Sequence, residues 1–284
     1  MKRYYIAIAD VHGDAPVLEK KLNDCDNWIA SKRKDGSIAV GDSVQFVFMG
    51  DYIDRTPYHI RVLELVKERV DAGEGIHLIG NHDMMFIGAA DGTWVTFHDE
   101  KTYGDKPRQE SNLNLWYFNE GIVTCRDMFG MKYDDNMIPA MSIKNYLDDI
   151  RNSWMYEFLK QGKLFHETQQ IFFSHAPQSD PKNMTDTSLI WGVRQDYRDS
   201  RGENIFKVPN NKIISVHGHM NMAGEKITFP RITCFKHGSQ WKTVVMADCG
   251  CGSRKNGELH PVILRECNIS DGEESNTVDI VAIL

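Results

Sequence analysis

The sequence predicts an α/β fold with its chemistry gathered along one sheet edge. Two observations carry this. Short apolar or β-branched runs repeatedly end in Asp, Asn or His, and helical patterns fill the intervals between the early runs. A third feature, a long middle stretch without such a unit, predicts an insertion.

The runs come in order. Residues 4–9 lead into Asp10-Val11-His12-Gly13, residues 44–49 into Gly50-Asp51, and residues 76–79 into Gly80-Asn81-His82-Asp83. Residues 170–174 lead into His175, residues 212–216 into His217-Gly218-His219, and residues 243–247 into Asp248. Runs of this length, rich in Ile, Val and Phe and bounded by Gly, read as buried strands. Asp14 is placed to cap a helix with Pro16 in its first turn, running to about Arg33. Thr56 is placed to cap a second, with Ile60, Leu63, Val66 and Val70 at helical spacing and Gly73 at its end. Alternating strands and helices make an α/β sheet. Sites in open α/β sheets form beyond the carboxyl ends of strands, where each polar terminus above would sit.

Residues 84–170 hold Trp94, Trp116, Tyr117, Phe118 and Trp154, with a helical pattern over about 142–159. An unstructured loop of that length is improbable. The stretch is expected to be a largely helical, cap-like insertion within a single domain spanning 1–284. From residue 227 onward, strands are expected at 227–229, 232–235, 243–247, 259–266 and 277–284, with a polar turn at 271–276.

Composition narrows the function classes. The 284 residues are 41% hydrophobic and 26% charged, enough to bury a core without staples. The formal net charge of −7 gives no basic field of the kind that binds nucleic acid through phosphate neutralisation. Phosphate affinity must come from a local site. Six cysteines include no C-x-x-C pair, which suits reduced thiols in the cytoplasm. No run reaches the ~18–20 apolar residues of a membrane span, and the N-terminus lacks a signal-peptide apolar core.

Asp10, His12, Asp51, Asn81, His175 and His219 offer carboxylate, amide oxygen and imidazole, the mixture that divalent cations such as manganese accept. A cation pair needs a bridging anion to relieve its repulsion. Asp51 follows the strongest apolar run and is the natural bridge. Two dications against two ligand carboxylates leave the site positive enough to bind a phosphate dianion. His217 is read as packing or supporting the site, with ligation as the alternative. The other histidines are read as structural. The aromatic residues of the insertion are read as core, with Trp94 or Trp116 lining a cleft as the alternative.

These motifs carry a resemblance. Asp10-Val11-His12-Gly13, Gly50-Asp51-Tyr52-Ile53-Asp54-Arg55, Gly80-Asn81-His82-Asp83, Ser174-His175 and Gly218-His219 are similar to the ordered motif series of calcineurin-like metallophosphoesterases. The likeness is greatest to the branch holding Ser/Thr protein phosphatases, a phage phosphatase and dinucleoside tetraphosphate hydrolases. It implies a central β-sandwich flanked by helices and two divalent metal ions, manganese first with iron or zinc as alternatives. By position it implies Asp10 and His12 on one metal, Asn81, His175 and His219 on the other, and Asp51 between. A hydroxide held between the metals would attack phosphorus. His82 would protonate the leaving oxygen with Asp54 as its partner, and Arg55 and Arg194 would grip phosphate. Thr56 stands where the family has Gly, and Asp83 where the protein phosphatases have Glu.

The function expected is a metal-dependent phosphoesterase acting on phosphate monoesters, protein or small molecule. Hydrolysis of dinucleoside polyphosphates or nucleic-acid phosphodiesters is the alternative. A catalytically weak metal-binding scaffold is the alternative of another class.

Overall fold

A computed structural model of the chain describes residues 1–97, 108–129, 143–144, 146–178, 182–192, 207–220, 229–252, 257–267 and 277–284. Two five-stranded sheets dominate the described residues. The first contains β1 (Arg3–Ile8), β2 (Ser43–Phe48), β3 (Gly75–His77), β11 (Val262–Cys267) and β12 (Thr277–Ile283), in the order β12-β11-β1-β2-β3. The second contains β6 (Phe165–Glu167), β7 (Ile171–Ser174), β8 (Ile214–His217), β9 (Arg231–His237) and β10 (Gln240–Met246), in the order β6-β7-β8-β10-β9. Each is mixed. β1, β2 and β3 run parallel, as do β7, β8 and β10, and antiparallel strands close the flanks.

The alternation of side chains along each strand explains the layers. Tyr5, Ala7, Val47 and Met49 point from the first sheet into a shared core with Phe173, Ile214, Val216 and Val245 of the second. Ile6, Ile8, Phe46 and Phe48 point the other way, onto helices α1 (Ala15–Lys34), α2 (His59–Asp71) and α3 (Asn81–Asp91). The two parallel triples carry their carboxyl ends to one edge, as the polar strand termini predict.

α1 begins where expected, with the Asp14 carboxylate accepting from Val17 N at 3.2 Å. α2 does not. It starts at His59 behind Tyr58, which has φ 81° and no side-chain cap bond. The Thr56 hydroxyl instead donates to the His12 carbonyl, so Thr56 braces the site rather than capping the helix. The helical pattern over 142–159 divides into α6 (Leu147–Arg151) and α7 (Trp154–Lys160), because the Ser153 hydroxyl takes Tyr156 N and starts a new helix. Two further helices, α4 (Asn112–Phe118) and α5 (Gly121–Phe129), pack beside α3 and α2. Sequence patterning missed the hairpin β4 (Trp94–Phe97) with β5 (Arg108–Ser111), and it missed β6, which joins the second sheet. The turn expected at 271–276 and residues 227–228 lie outside the described residues. A short helix α8 (Asp186–Trp191) follows β7.

Candidate active site

The turns that leave β1 and β2 run side by side. Asp10 N donates to Gly50 O at 3.2 Å, His12 N to Asp51 O at 2.9 Å, and Gly13 N to Tyr52 O at 2.8 Å. Asp10, His12, Asp51, Asp54, Arg55 and His219 all have positive φ, between 48° and 73°. Left-handed backbone costs a non-glycine residue on the order of 1 kcal/mol or more, and it persists only where the surroundings over-determine it. Six such residues at one edge mark a place where side-chain direction outweighs backbone comfort. The third turn packs against the second. A Cβ on Gly50 would lie 2.3 Å from Gly80 N, and one on Gly80 would lie 2.1 Å from Asp51 Oδ1, so only glycine fits either position. Asp83, fully buried in the first turn of α3, ties the two together. Its carboxylate accepts from Gly80 N (2.9 Å), Asp51 N (2.7 Å) and Tyr52 N (3.1 Å). Burial and the charge of Asp51 push it up to about 7.

Asp51 is the centre. His12 Nε2 lies 3.5 Å from its Oδ2, and His175 Nε2 lies 3.5 Å from its Oδ1. Both rings are set by backbone carbonyls: His12 Nδ1–H donates to Ile53 O at 3.0 Å, and His175 Nδ1–H to Met49 O at 2.9 Å. The proton on Nδ1 leaves Nε2 as a lone pair. Burial holds His12, His175 and His219 below the ordinary histidine range. Burial also opposes the charge of Asp51, but the surrounding histidines outweigh it and keep the carboxylate ionised.

Nε2 of His12 and Nε2 of His175 are thus left without a proton to share. His12 Nε2 is buried with no hydrogen-bond partner. His175 Nε2 faces Asn81 Oδ1, another acceptor, at 3.1 Å, while His219 Nδ1 meets the same oxygen at 2.8 Å, donating or not according to its tautomer. Buried acceptors that converge without donors are costly unless a cation joins them. Two groups could each hold a metal: His12, Asp51 and His82, and Asp51, His175 and His219. Asp51 belongs to both. The donor set of carboxylate, amide oxygen and neutral imidazole suits a divalent cation.

Asp10 lies outside both close groups. Its two oxygens accept His219 N at 2.9 and 3.0 Å, and burial with the nearby Asp248 and Asp51 charges raises its pKa well above the usual range. A divalent cation beside it would reverse that balance. His217 is turned away from Asp51. Its ring nitrogens meet the Ser174 hydroxyl at 3.0 Å and the Ser215 hydroxyl, and burial pushes it down to about 3. Arg194 lies outside the described residues.

His82 follows Asn81 at the start of α3. Its Nδ1–H donates to Asp54 Oδ2 at 2.7 Å, and Arg55 Nη2 donates to its Nε2 at 3.2 Å. Burial works against a charged ring here, but Asp51 and Asp54 outweigh it and raise His82 above the ordinary range. Asp54 is fully buried, and its other oxygen accepts from Trp116 Nε1 (3.0 Å) and from the Thr124 hydroxyl. Sequence reasoning missed Asp83, Trp116 and Thr124 as supports of the site. An acidic residue at the third helical position was a usable signal for Asp83. Nothing local points from Trp116 or Thr124 to an aspartate 62 or 70 residues earlier.

The sequence model for calcineurin-like phosphoesterases matches residues 4–240. The chain belongs to the calcineurin-like phosphoesterase family. As a calcineurin-like phosphoesterase it is a hydrolase of phosphorylated substrates. A candidate diadenosine tetraphosphatase is 14% identical and superposes with a TM-score of 0.48, covering 92% of this chain and 88% of that one. A metallophosphoesterase from Sphaerobacter thermophilus is 14% identical with a TM-score of 0.43, covering 92% and 82%. A protein serine/threonine phosphatase from Saccharomyces cerevisiae is 11% identical with a TM-score of 0.45, covering 97% and 78%. No curated protein sequence gives a significant match. Among the described residues, no helix is long and apolar enough to cross a membrane.

Proposed function

We propose that this calcineurin-like phosphoesterase is a phosphomonoesterase, acting on phosphoproteins or small phosphate esters with two divalent cations, manganese first. One observation carries the reading: the two oxygens of Asp51 face two different unprotonated histidine nitrogens, His12 Nε2 and His175 Nε2, each at 3.5 Å. A carboxylate so placed could be shared by two cations. Asp10 and His12 would hold one, and Asn81, His175 and His219 the other. Bound there, the pair would supply an activated water and neutralise charge on the phosphoryl group.

The chain's own residues do the rest. His82 gives a proton from Nε2 to the leaving oxygen, while Asp54 fixes the opposite ring nitrogen and favours the charged ring. Arg55 now donates to His82 Nε2. A phosphate draws the guanidinium away, because its negative oxygens attract the cation and can take two parallel N–H bonds where the neutral imidazole nitrogen takes one. That movement frees Nε2 for its proton. Arg194 is proposed as a second grip on phosphate. The segment 84–170 acts as a cap within a single domain. None of the six cysteines is in a disulfide, which fits a reducing cytoplasm.

The test is phosphate release with added Mn²⁺ from p-nitrophenyl phosphate, a phosphopeptide, bis-p-nitrophenyl phosphate and diadenosine tetraphosphate. The monoesters are expected to be the fast substrates. Preference for either of the last two would overturn the monoester assignment and favour diester or dinucleoside polyphosphate hydrolysis. No release from any of them by metal-loaded protein would make the chain a scaffold.

A further inference from the structure

Asp54 is buried at 0% exposure with a ring of donors around it. Its Oδ2 takes the His82 Nδ1–H at 2.7 Å. Its Oδ1 takes Trp116 Nε1–H at 3.0 Å and the Thr124 hydroxyl, and the Thr124 oxygen in turn accepts Asp54 N at 3.0 Å. Both partners come from the helix pair α4–α5, far from the motif loops in sequence. Both are themselves held. The Trp116 ring is fully buried, meets Phe86 edge-on at 5.3 Å, and lies so close over Gly121 that a Cβ there would sit 2.4 Å from Nε1. Thr124 is 1% exposed. α4 also grips α3, which carries His82: a Cβ on Gly88 would lie 2.3 Å from Asn112 Nδ2, and Asn119 Nδ2 at the end of α4 reaches Met85 Sδ at 3.8 Å.

We infer that Trp116 and Thr124 are positioning residues for proton delivery, which together fix both the place and the orientation of Asp54 and through it the His82 ring. This rests on the reading of His82 as the proton donor. A carboxylate with one donor is free to rotate about its Cβ–Cγ bond. With both lone-pair directions of Oδ1 taken by rigid donors, Oδ2 has one place to be, and that place is on His82 Nδ1. The imidazole then has one orientation, with Nε2 aimed into the site. Side-chain partners of this kind orient the groups that do chemistry and cost activity when removed. Trp116→Phe removes the N–H, together with part of the ring's volume, and so tests the donor. Thr124→Val tests the hydroxyl.

The experiment compares turnover of phenyl phosphate and p-nitrophenyl phosphate by the full-length, Mn²⁺-loaded wild type, Trp116→Phe, Thr124→Val, Thr124→Ser and His82→Ala. Phenolate is the poorer leaving group and needs the proton more. Each of Trp116→Phe and Thr124→Val is expected to lose about tenfold in kcat on phenyl phosphate but no more than about twofold on p-nitrophenyl phosphate, as befits one lost bond to a charged group. KM and bound metal stay at wild-type values, and Thr124→Ser, which keeps the hydroxyl, stays close to wild type. Equal loss on both substrates, or loss on neither, would overturn the inference. If Trp116→Phe fails to fold, the Thr124 pair decides alone. His82→Ala separates the two levels. If it loses both substrates equally, the donor role of His82 fails. If it is selective while the Trp116 and Thr124 variants are not, only the positioning role fails.

Discussion

The two sides of Asp51 are built from different materials. On the Oδ1 side, His175 and His219 stand at the ends of β7 and β8, held by groups at the ends of β1 and β2: Met49 O fixes the His175 ring, and the Asp10 carboxylate accepts from His219 N. On the Oδ2 side, His12 is also set by a carbonyl, but the His82–Asp54 pair beyond it is set by side chains, Trp116 from α4 and Thr124 from α5. The cation-holding groups thus depend on the sandwich itself. The proton-handling groups depend on side chains that the helix pair α4–α5 brings to them. Metal binding and proton delivery should therefore be separable by mutation.

The largest effect is expected where the two sides meet. Asp51→Asn removes the shared charge, so both cations should be lost and the rate should fall by about 10³-fold or more. Metal analysis of the purified variant checks this; wild-type metal content would break the bridging role. His82→Ala comes next. It should keep its metals and lose about 10²-fold or more on phenyl phosphate, with a far smaller loss on p-nitrophenyl phosphate. Metal loss in this variant would break the separation. Asp83→Asn tests the clamp on the Asp51 side. An amide offers one acceptor oxygen where the carboxylate serves three backbone donors, so Mn²⁺ affinity by calorimetric titration should weaken by about tenfold. Thr56→Val is the smallest. Losing its bond to the His12 carbonyl should cost about 0.5–1.5 kcal/mol in urea unfolding, with metal still bound.

The same division governs what was legible in the sequence. Asp10, His12, Asp51, Asn81, His175 and His219 each follow an apolar run, and strand direction alone brings such termini to one edge. The Asp14 cap was readable because capping is local. Thr56 was misread because Ser and Thr before a helix usually cap it, whereas here tertiary contact with the His12 carbonyl takes the hydroxyl. β6 was missed because three residues carry too little periodicity, and only pairing with β7 makes Phe165–Glu167 a strand. Trp116 and Thr124 were invisible as supports of Asp54, since their role exists only in the packed structure. Local rules find the residues that chemistry needs, and packing decides which others hold them.

The most direct test is the metal content of wild type, His82→Ala and Asp51→Asn after loading with Mn²⁺ and removal of unbound ion. A shared bridge predicts the same pair of ions in wild type and His82→Ala and their loss from Asp51→Asn. Equal metal in all three, or none in wild type, would contradict a cation centre built around Asp51.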